Sequence, residues 1–217
     1  PTWPSPWGPG RPGWHIECSA MSIRYLGETL DIHGGGGDLV YPHHESEIAQ
    51  SECWSGQKPF ARFWLHAGML RMDGEKMSKS LGNMVFVHEL VKTYRPEALR
   101  LFLSGVRYRD VLDWSPEGVQ KCEELFTLLQ TAAGMQHPVH DDAHPYQSSG
   151  DPLDAEGYRV RFVAAMEDDL DTPQAIGVLR ELAEAIVAAR QTGRPISQAR
   201  HELRTLAEIL GVVLPVV

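Results

Sequence analysis

Leu30-Asp31-Ile32-His33-Gly34-Gly35-Gly36-Gly37-Asp38 is the stretch that sets the fold class of the chain. Its first four residues have the short apolar pattern of a β-strand, and they run directly into four glycines. A helical stretch from about His43 to Ser51 follows. Strand, glycine run and helix in this order are typical of an α/β unit, so we predict an α/β region in this part of the chain.

The flanking segments extend this prediction in both directions. Residues 1–14 are rich in proline, glycine and tryptophan, which indicates an ordered loop rather than a helix. A helix is predicted over residues 16–26, ending near Gly27. Residues 63–70 form a second strand candidate, which leads into a segment rich in lysine and serine.

After Asn83 the pattern becomes helical. Short helices are predicted over 87–94 and 96–104, and longer ones over 115–134, 154–168, 172–192 and 195–210. Ser115 and Thr172 each precede a proline, which is the pattern of an N-cap followed by a first-turn proline. One helical face carries Leu179, Leu182, Ala183, Ile186 and Ala189, which indicates a bundle core. Residues 135–153 are predicted to be a loop or linker.

The composition excludes several classes of protein. The chain has 217 residues and a net charge of −9, which argues against a protein that coats DNA. Cys18, Cys53 and Cys122 are too few and too scattered for a disulfide framework, so we expect a reducing, cytoplasmic setting. No apolar run approaches the roughly 18 residues that span a bilayer, and we expect no membrane partner.

The lysine segment has the properties of a phosphate-binding loop. It reads Glu75-Lys76-Met77-Ser78-Lys79-Ser80-Leu81-Gly82-Asn83 and follows Asp73-Gly74. Glycine near both ends permits positive φ, and lysine can follow a phosphate as charge builds on it. The segment matches the signature loop of class I aminoacyl-tRNA synthetases. We therefore predict that Lys76 and Lys79 act on the triphosphate of ATP.

A second group of residues indicates zinc. His43 and Glu47 are four residues apart, so on a helix they share one face. Cys18 adds a thiolate, and thiolate, imidazole and carboxylate together suit Zn²⁺. The same residues are also compatible with a surface hydrogen bond and a buried packing cysteine. Three protein ligands leave one position for a substrate or for a ligand outside the chain.

Several longer strings resemble the cysteinyl-tRNA synthetase family. They are Gly10-Arg11-Pro12-Gly13-Trp14-His15-Ile16-Glu17-Cys18-Ser19-Ala20-Met21, Asp31-Ile32-His33-Gly34-Gly35-Gly36, Pro42-His43-His44-Glu45, Glu47-Ile48-Ala49-Gln50 and Glu97-Ala98-Leu99-Arg100. The resemblance implies ligation of L-cysteine to tRNA(Cys) with ATP and Mg²⁺, and a zinc that binds the cysteine thiolate. It implies that Cys18, His43 and Glu47 are three of four zinc ligands. Trp14 is then a wall of the cysteine pocket, His33 a pocket residue, and Lys79 an ATP contact.

The resemblance also implies a domain layout. Residues 1–84 correspond to the C-terminal half of a Rossmann-like catalytic domain, 85–114 to a connecting stem-contact region, and 115–217 to a DALR-type helical bundle. The family's His-Ile-Gly-His-like motif, its upstream cysteine ligand and its anticodon-binding module are absent from these 217 residues. We therefore expect a fragment that does not adenylate cysteine by itself.

Three alternatives remain open at this point. The related cysteine ligase of mycothiol biosynthesis shares the zinc site and the lysine loop, and the string Asp168-Asp169-Leu170-Asp171-Thr172-Pro173 is compatible with it. A non-catalytic tRNA-binding module would use the bundle arginines 159, 161, 180, 190, 194, 200 and 204. A degenerate structural piece would bind no zinc.

Overall fold

The computed structural model describes residues 1–77, 81–134 and 150–214. The chain divides into two compact units, Pro1–Met69 and Leu70–Val217. The first unit combines strands and helices, and the second begins with a small sheet and continues as helices. The predicted order, an α/β region followed by an all-α region, is confirmed.

The first unit is built around two parallel strands. Helix α1 spans Trp14–Leu26, strand β1 Leu30–Gly36, helix α2 Glu45–Ser55 and strand β2 Ala61–Ala67. Strand β1 pairs with β2 from Leu30↔Ala61 to Gly36↔Ala67. Leu30 and Ala61, the first residues of the two strands, are buried together with Phe60, and Ile48 and Trp64 pack against them.

Several boundaries in this unit differ from the sequence prediction. Helix α1 begins at Trp14 rather than at residue 16, and strand β2 spans Ala61–Ala67 rather than residues 63–70. Strand β1 continues through Gly36, so three of the four glycines belong to the strand. Helix α2 begins at Glu45 rather than at about His43, because a separate helical turn, Val40–His44, precedes it. This turn is interrupted at Tyr41, whose φ of −136° and ψ of 133° are extended. His43 and Glu47 therefore lie on two consecutive elements rather than on one helix.

The second unit opens with a three-stranded sheet. Strands β3 (Leu70–Met72), β4 (Glu75–Lys76) and β5 (Leu112–Asp113) are arranged in the order β4-β3-β5. Asp73 and Gly74 turn the chain from β3 into β4 with φ of 53° and 78°, and Gly82 has φ of 67°. Positive φ at both glycines confirms the expectation from the lysine segment. Residues 78–80 lie outside the described part of the chain.

Two short helices connect this sheet to the bundle. Helix α3 spans Val87–Leu90, which is shorter than predicted, and α4 spans Pro96–Leu103. Helix α4 buries Leu99 and Phe102 against Val119 of α5, which spans Pro116–Gly134. The apolar face of α4 therefore packs the connecting segment against the bundle.

The bundle consists of α5, α6 (Glu156–Glu167), α7 (Thr172–Gln191) and α8 (Ser197–Ile209). The five predicted core residues of α7 are all buried, among them Leu179, Leu182 and Ile186 at 0% exposure. Ser115 caps α5, since its Oγ accepts a hydrogen bond from Gly118 N at 3.0 Å. The cap of α7 is Asp171 rather than Thr172, because Asp171 Oδ1 accepts from Gln174 N at 3.1 Å.

Two further sequence expectations concern the linker after α5 and membrane-spanning helices. Most of the predicted linker, residues 135–149, lies outside them. Within the described ranges, every helix is too short or too polar to cross a membrane.

Candidate metal centre

A cluster of ligating side chains lies in the first unit. Cys18 comes from α1, His43 from the turn before α2, and Glu47 from the first turn of α2. One ligand atom of each lies within 4.8 Å of the other two. The three predicted metal ligands, which are up to 29 positions apart in the sequence, thus converge on one point.

Glu47 is the centre of this cluster. Its side chain is completely buried, and its Oε2 lies 2.9 Å from His33 Nε2 and 3.6 Å from His43 Nε2. Its Oε1 is buried without a hydrogen-bond partner among the described residues. A buried carboxylate oxygen without a partner costs free energy. A cation held between Glu47, His43 and Cys18 would compensate that cost.

His43 is held between two aromatic neighbours. The ring of Trp14 lies 4.4 Å from the His43 ring, measured between centroids, at a tilt of 31°. The second neighbour is His15, whose Nδ1 lies 2.7 Å from His43 Nδ1. Trp14 itself remains 57% exposed at the start of α1, which is compatible with a wall that a small ligand contacts.

A second histidine group adjoins the first. His33, His44 and Glu47 also place ligand atoms within 4.8 Å of one another, and His44 Nδ1 lies 2.8 Å from His66 Nε2. The 2.9 Å between His33 Nε2 and Glu47 Oε2 is a hydrogen-bond length. Two ligands of one zinc lie farther apart, because each bond is about 2.0–2.3 Å and the ligands are roughly tetrahedral. We therefore interpret this group as a hydrogen-bonded support around Glu47.

The sequence patterns did not predict His15, His44 and His66 as parts of the site. His15 and His44 stand next to the predicted residues Trp14 and His43, so adjacency was the available signal. His66 carries no such signal, because only the parallel register, which pairs it with Gly35, brings it to the site.

Burial shifts the pKa values of two groups in the cluster, Cys18 and His44, toward their neutral forms. Burial, followed by the charge of Glu47, raises the pKa of Cys18. Burial, followed by His33, lowers the pKa of His44. A cation at the cluster would reverse the preference of Cys18, because a coordinating thiol loses its proton.

The donor set fits zinc. A thiolate sulfur, an imidazole nitrogen and a carboxylate oxygen are the three ligand types that Zn²⁺ uses in proteins, and hard cations avoid the sulfur. The cluster is buried around Glu47, and Glu47 Oε1 is an acceptor with no donor in the part of the chain that the structure describes. A four-coordinate zinc with these three ligands would have one further position.

The predicted ATP residues belong to the other unit. Lys76 is the last residue of β4, is exposed, and its carbonyl oxygen accepts from Asn83 Nδ2 at 3.3 Å. This bond joins the two ends of the lysine segment. Lys79 lies outside the described residues.

The bundle arginines mostly make internal contacts. Arg161 NH2 lies 2.7 Å from Glu181 Oε2, and Arg159 pairs with Glu156. Arg194 donates to the carbonyl oxygens of residues 151 and 152, and Arg200 and Arg204 both donate to the Ala133 carbonyl at the end of α5. These five guanidinium groups therefore all contact acceptors within the second unit, although the half-exposed pairs of Arg159 and Arg161 contribute little to stability.

The sequence matches two known families. The family described as tRNA synthetases class I (C) catalytic domain matches residues 1–124, and the DALR domain family matches residues 161–214. The first match covers more than half of the chain and includes the metal cluster and the lysine segment.

Curated relatives are similar over nearly the whole chain. A protein named Cysteine--tRNA ligase from Dehalococcoides mccartyi is 46% identical over 215 residues, which is 99% of this chain and 45% of the relative. One of the same name from Caldicellulosiruptor saccharolyticus is 46% identical over 98% of this chain and 46% of the relative. The chain spans about half the length of the curated relatives it matches.

Solved structures share the fold at low sequence identity. The ternary complex of Agrobacterium radiobacter K84 agnB2 LeuRS-tRNA-LeuAMS covers 97% of this chain with a TM-score of 0.62 and 16% identity, over 33% of its own length. Mycobacterium tuberculosis methionyl-tRNA synthetase bound by methionyl-adenylate covers 83% of this chain with a TM-score of 0.55 and 20% identity, over 41% of its own length. At these identities the likeness supports the fold alone.

Proposed function

The chain belongs to the family of class I (C) tRNA synthetase catalytic domains, and from this premise we propose that its protein ligates L-cysteine to tRNA(Cys). ATP and cysteine give cysteinyl adenylate and pyrophosphate, and the cysteinyl group then passes to the 3′ end of the tRNA. The relatives of 46% identity carry the name Cysteine--tRNA ligase, which supports the choice of amino acid.

The observation that carries this proposal is the convergence of Cys18, His43 and Glu47, whose buried Oε1 has no hydrogen-bond partner among the described residues. In this proposal the three side chains hold a zinc ion. A zinc ion held there would supply a borderline-soft Lewis acid, which prefers the thiolate sulfur of cysteine to the hydroxyl oxygen of serine. This preference would make a separate editing site unnecessary.

The surrounding residues have distinct proposed roles. His33 holds Glu47 Oε2 at 2.9 Å, so the carboxylate keeps one orientation. Trp14 packs on His43 and forms a wall against which a small amino acid is placed. The histidine group and Phe60 exclude water beneath the cluster, which strengthens the electrostatic interactions of the charged groups.

Lys76 and Lys79 are proposed to act on ATP and its Mg²⁺. During adenylate formation the β- and γ-phosphates leave as pyrophosphate, and negative charge builds on them. Lysine ammonium groups stabilise that charge. The positive-φ glycines at 74 and 82 let the segment approach the phosphates closely. Residues 1–84 would thus provide the catalytic contribution of the chain, 85–114 a connection, and 115–217 a DALR-type bundle.

The alternatives are less well supported. The similar relatives quoted above are named as tRNA ligases, so the mycothiol cysteine ligase is not favoured. A purely tRNA-binding module is opposed by the internal use of five bundle arginines. Neither alternative accounts for the residues shared with the catalytic-domain family better than the proposed reaction does.

Cysteine-dependent ATP–pyrophosphate exchange tests the proposal. The full-length protein that contains this chain is assayed both in a cytoplasmic extract and after purification. We expect exchange with cysteine, far less with serine, and a loss of at least about 100-fold in Cys18→Ser, since ligand loss removes the thiol-selective site. Equal exchange with cysteine and serine would contradict the zinc-based selection. The isolated 217-residue polypeptide is expected to be inactive, because the relatives carry more than half of their length outside the aligned part.

A further inference from the structure

His15 is the residue outside the proposed ligand set that makes the most direct contact with it. Its Nδ1 lies 2.7 Å from His43 Nδ1, and the two rings are 4.9 Å apart, measured between centroids. His15 follows Trp14 in the first turn of α1, and His43 lies in the turn before α2. Helices α1 and α2 are also joined nearby, since Ser19 Oγ donates to Gln50 Oε1 at 2.7 Å.

A contact of two imidazole nitrogens restricts the tautomers of both rings. At 2.7 Å one nitrogen must carry a proton and the other must accept it. If His43 Nδ1–H donates, His43 Nε2 carries a free lone pair, and that nitrogen is the one facing Glu47 Oε2 at 3.6 Å. If His15 donates instead, the proton of His43 sits on Nε2 and the lone pair faces away from the cluster.

We propose that His15 is a positioning residue, which accepts a hydrogen bond from His43 Nδ1–H and thereby presents His43 Nε2 to the zinc. A histidine ligand usually donates its second N–H to a carboxylate, a carbonyl or water. No carboxylate contacts His43 Nδ1 among the described residues, and the imidazole of His15 takes that place. The inference rests on the proposed zinc site and adds a residue to it that does not touch the metal.

The partner on the other side of His43 supports this role. Trp14 packs on the His43 ring at a tilt of 31°, so it restricts rotation of the ring. This contact does not select between the two tautomers of His43. Glu47 Oε2 is already hydrogen-bonded to His33 at 2.9 Å, so its attraction for a proton on His43 Nε2 is reduced. His15 is therefore the group that selects the tautomer.

The test compares three variants of the full-length protein. His15→Ala removes the acceptor, and His15→Asn restores an oxygen near the position of Nδ1. His88→Ala changes an exposed histidine of α3 in the second unit as a control. Zinc affinity is measured by competition with a chromophoric chelator, and the Co²⁺-substituted proteins are compared by their absorption spectra. Far-UV circular dichroism and melting temperature check that each variant is folded.

We expect the zinc dissociation constant to rise about 10–100-fold in His15→Ala, as for other residues that orient a ligand. His15→Asn should recover most of this loss, and His88→Ala should match the parent protein. In ¹⁵N spectra of the zinc-loaded protein, His43 should carry its proton on Nδ1. The same zinc affinity in His15→Ala and the parent, or coordination of His43 through Nδ1, would overturn the inference.

The outcomes also separate this inference from the proposed function. A parent protein that binds no zinc would contradict the proposed metal site itself. A parent protein that binds zinc through Cys18, His43 and Glu47, with His15→Ala unchanged, would leave the site in place and remove only the role of His15. If His15→Ala fails to fold, a folded His15→Asn with zinc affinity reduced as far as in Cys18→Ser would also contradict the proposal.

Discussion

Gly35 and His44 are in close contact across the first unit. A Cβ atom at Gly35 would lie 2.8 Å from His44 Cε1 and 3.0 Å from its Nε2. Side-chain atoms do not approach a Cβ this closely, so the imidazole of His44 occupies the space that any other residue at position 35 would fill. The glycine run of β1 therefore makes room for the histidine group that supports Glu47.

The first prediction concerns this contact. Gly35→Ala should destabilise the protein by about 1–3 kcal/mol, because the buried His44 ring must shift to admit a methyl group. Urea unfolding followed by circular dichroism measures the change. Gly34→Ala in the same strand is the matched control, since its nearest neighbour is the Leu65 carbonyl oxygen at an ordinary 3.5 Å. Equal stability of the two variants would show that His44 does not need this space.

The second prediction concerns the metal. Purified protein should contain about one equivalent of zinc, and Glu47→Ala should contain much less, because one of three ligands and the central acceptor are lost. Elemental analysis measures the zinc content. Glu45→Ala, two residues away on the exposed surface of α2, is the control and should retain the metal. Removal of zinc by a chelator should lower the melting temperature of the parent protein but not that of Glu47→Ala.

The third prediction is a titration. The guanidinium of Arg109 and then the hydroxyl of Tyr108 donate to Asp169, and they lower the pKa of that carboxyl to about 2. The unfolded value is about 3.9, so these contacts are complete above it and are lost as the pH falls through about 2. A ¹³C NMR titration of the Asp169 carboxyl measures the midpoint.

Variants around Asp169 test the cause of this shift. Arg109→Gln should raise the midpoint most, and Tyr108→Phe should raise it less, following the order of their contributions. Arg62→Gln removes an ion pair with Asp31 in the first unit and should leave the Asp169 midpoint unchanged. A midpoint near 3.9 in the parent protein would contradict the hydrogen bonds assigned to Asp169.

The fourth prediction concerns Arg95, which joins α4 to α5. Its guanidinium donates to Gln130 Oε1 at 2.8 Å, to Thr127 Oγ1 at 2.7 Å and to Glu123, and it lies 4.7 Å from the centre of the Phe126 ring. Arg95→Met should destabilise the second unit by about 1.5–3 kcal/mol, because a half-buried Glu123 carboxylate loses its charged partner.

Chemical denaturation of Arg95→Met measures this loss. Arg161→Ala is the control, since Arg161 and its partner Glu181 are both about half exposed and such pairs contribute about 0–1 kcal/mol. A loss in Arg95→Met no larger than that in Arg161→Ala would show that Arg95 is an ordinary surface arginine.

Local patterns predicted much of the fold. The apolar periodicity of α7 marked its buried face correctly, since Leu179, Leu182, Ala183 and Ile186 are all fully buried. The boundary errors have local causes as well. The extended backbone at Tyr41 divides the helical pattern before Glu45, and Asp171 caps α7 one residue earlier than Thr172. Helix ends one or two residues apart differ little in their local patterns, so the sequence predicts such boundaries less well than the elements themselves.

Residue identity and short-range spacing are enough to predict the family of the chain, the order of its elements and the ligand types of the proposed metal site. The set of histidines around Glu47 depends instead on tertiary packing. The parallel register of β1 and β2 brings His66 to His44, and the packing of α1 beside α2 brings His15 to His43. Such pairs depend on distances between separate elements, which no local pattern of residues specifies.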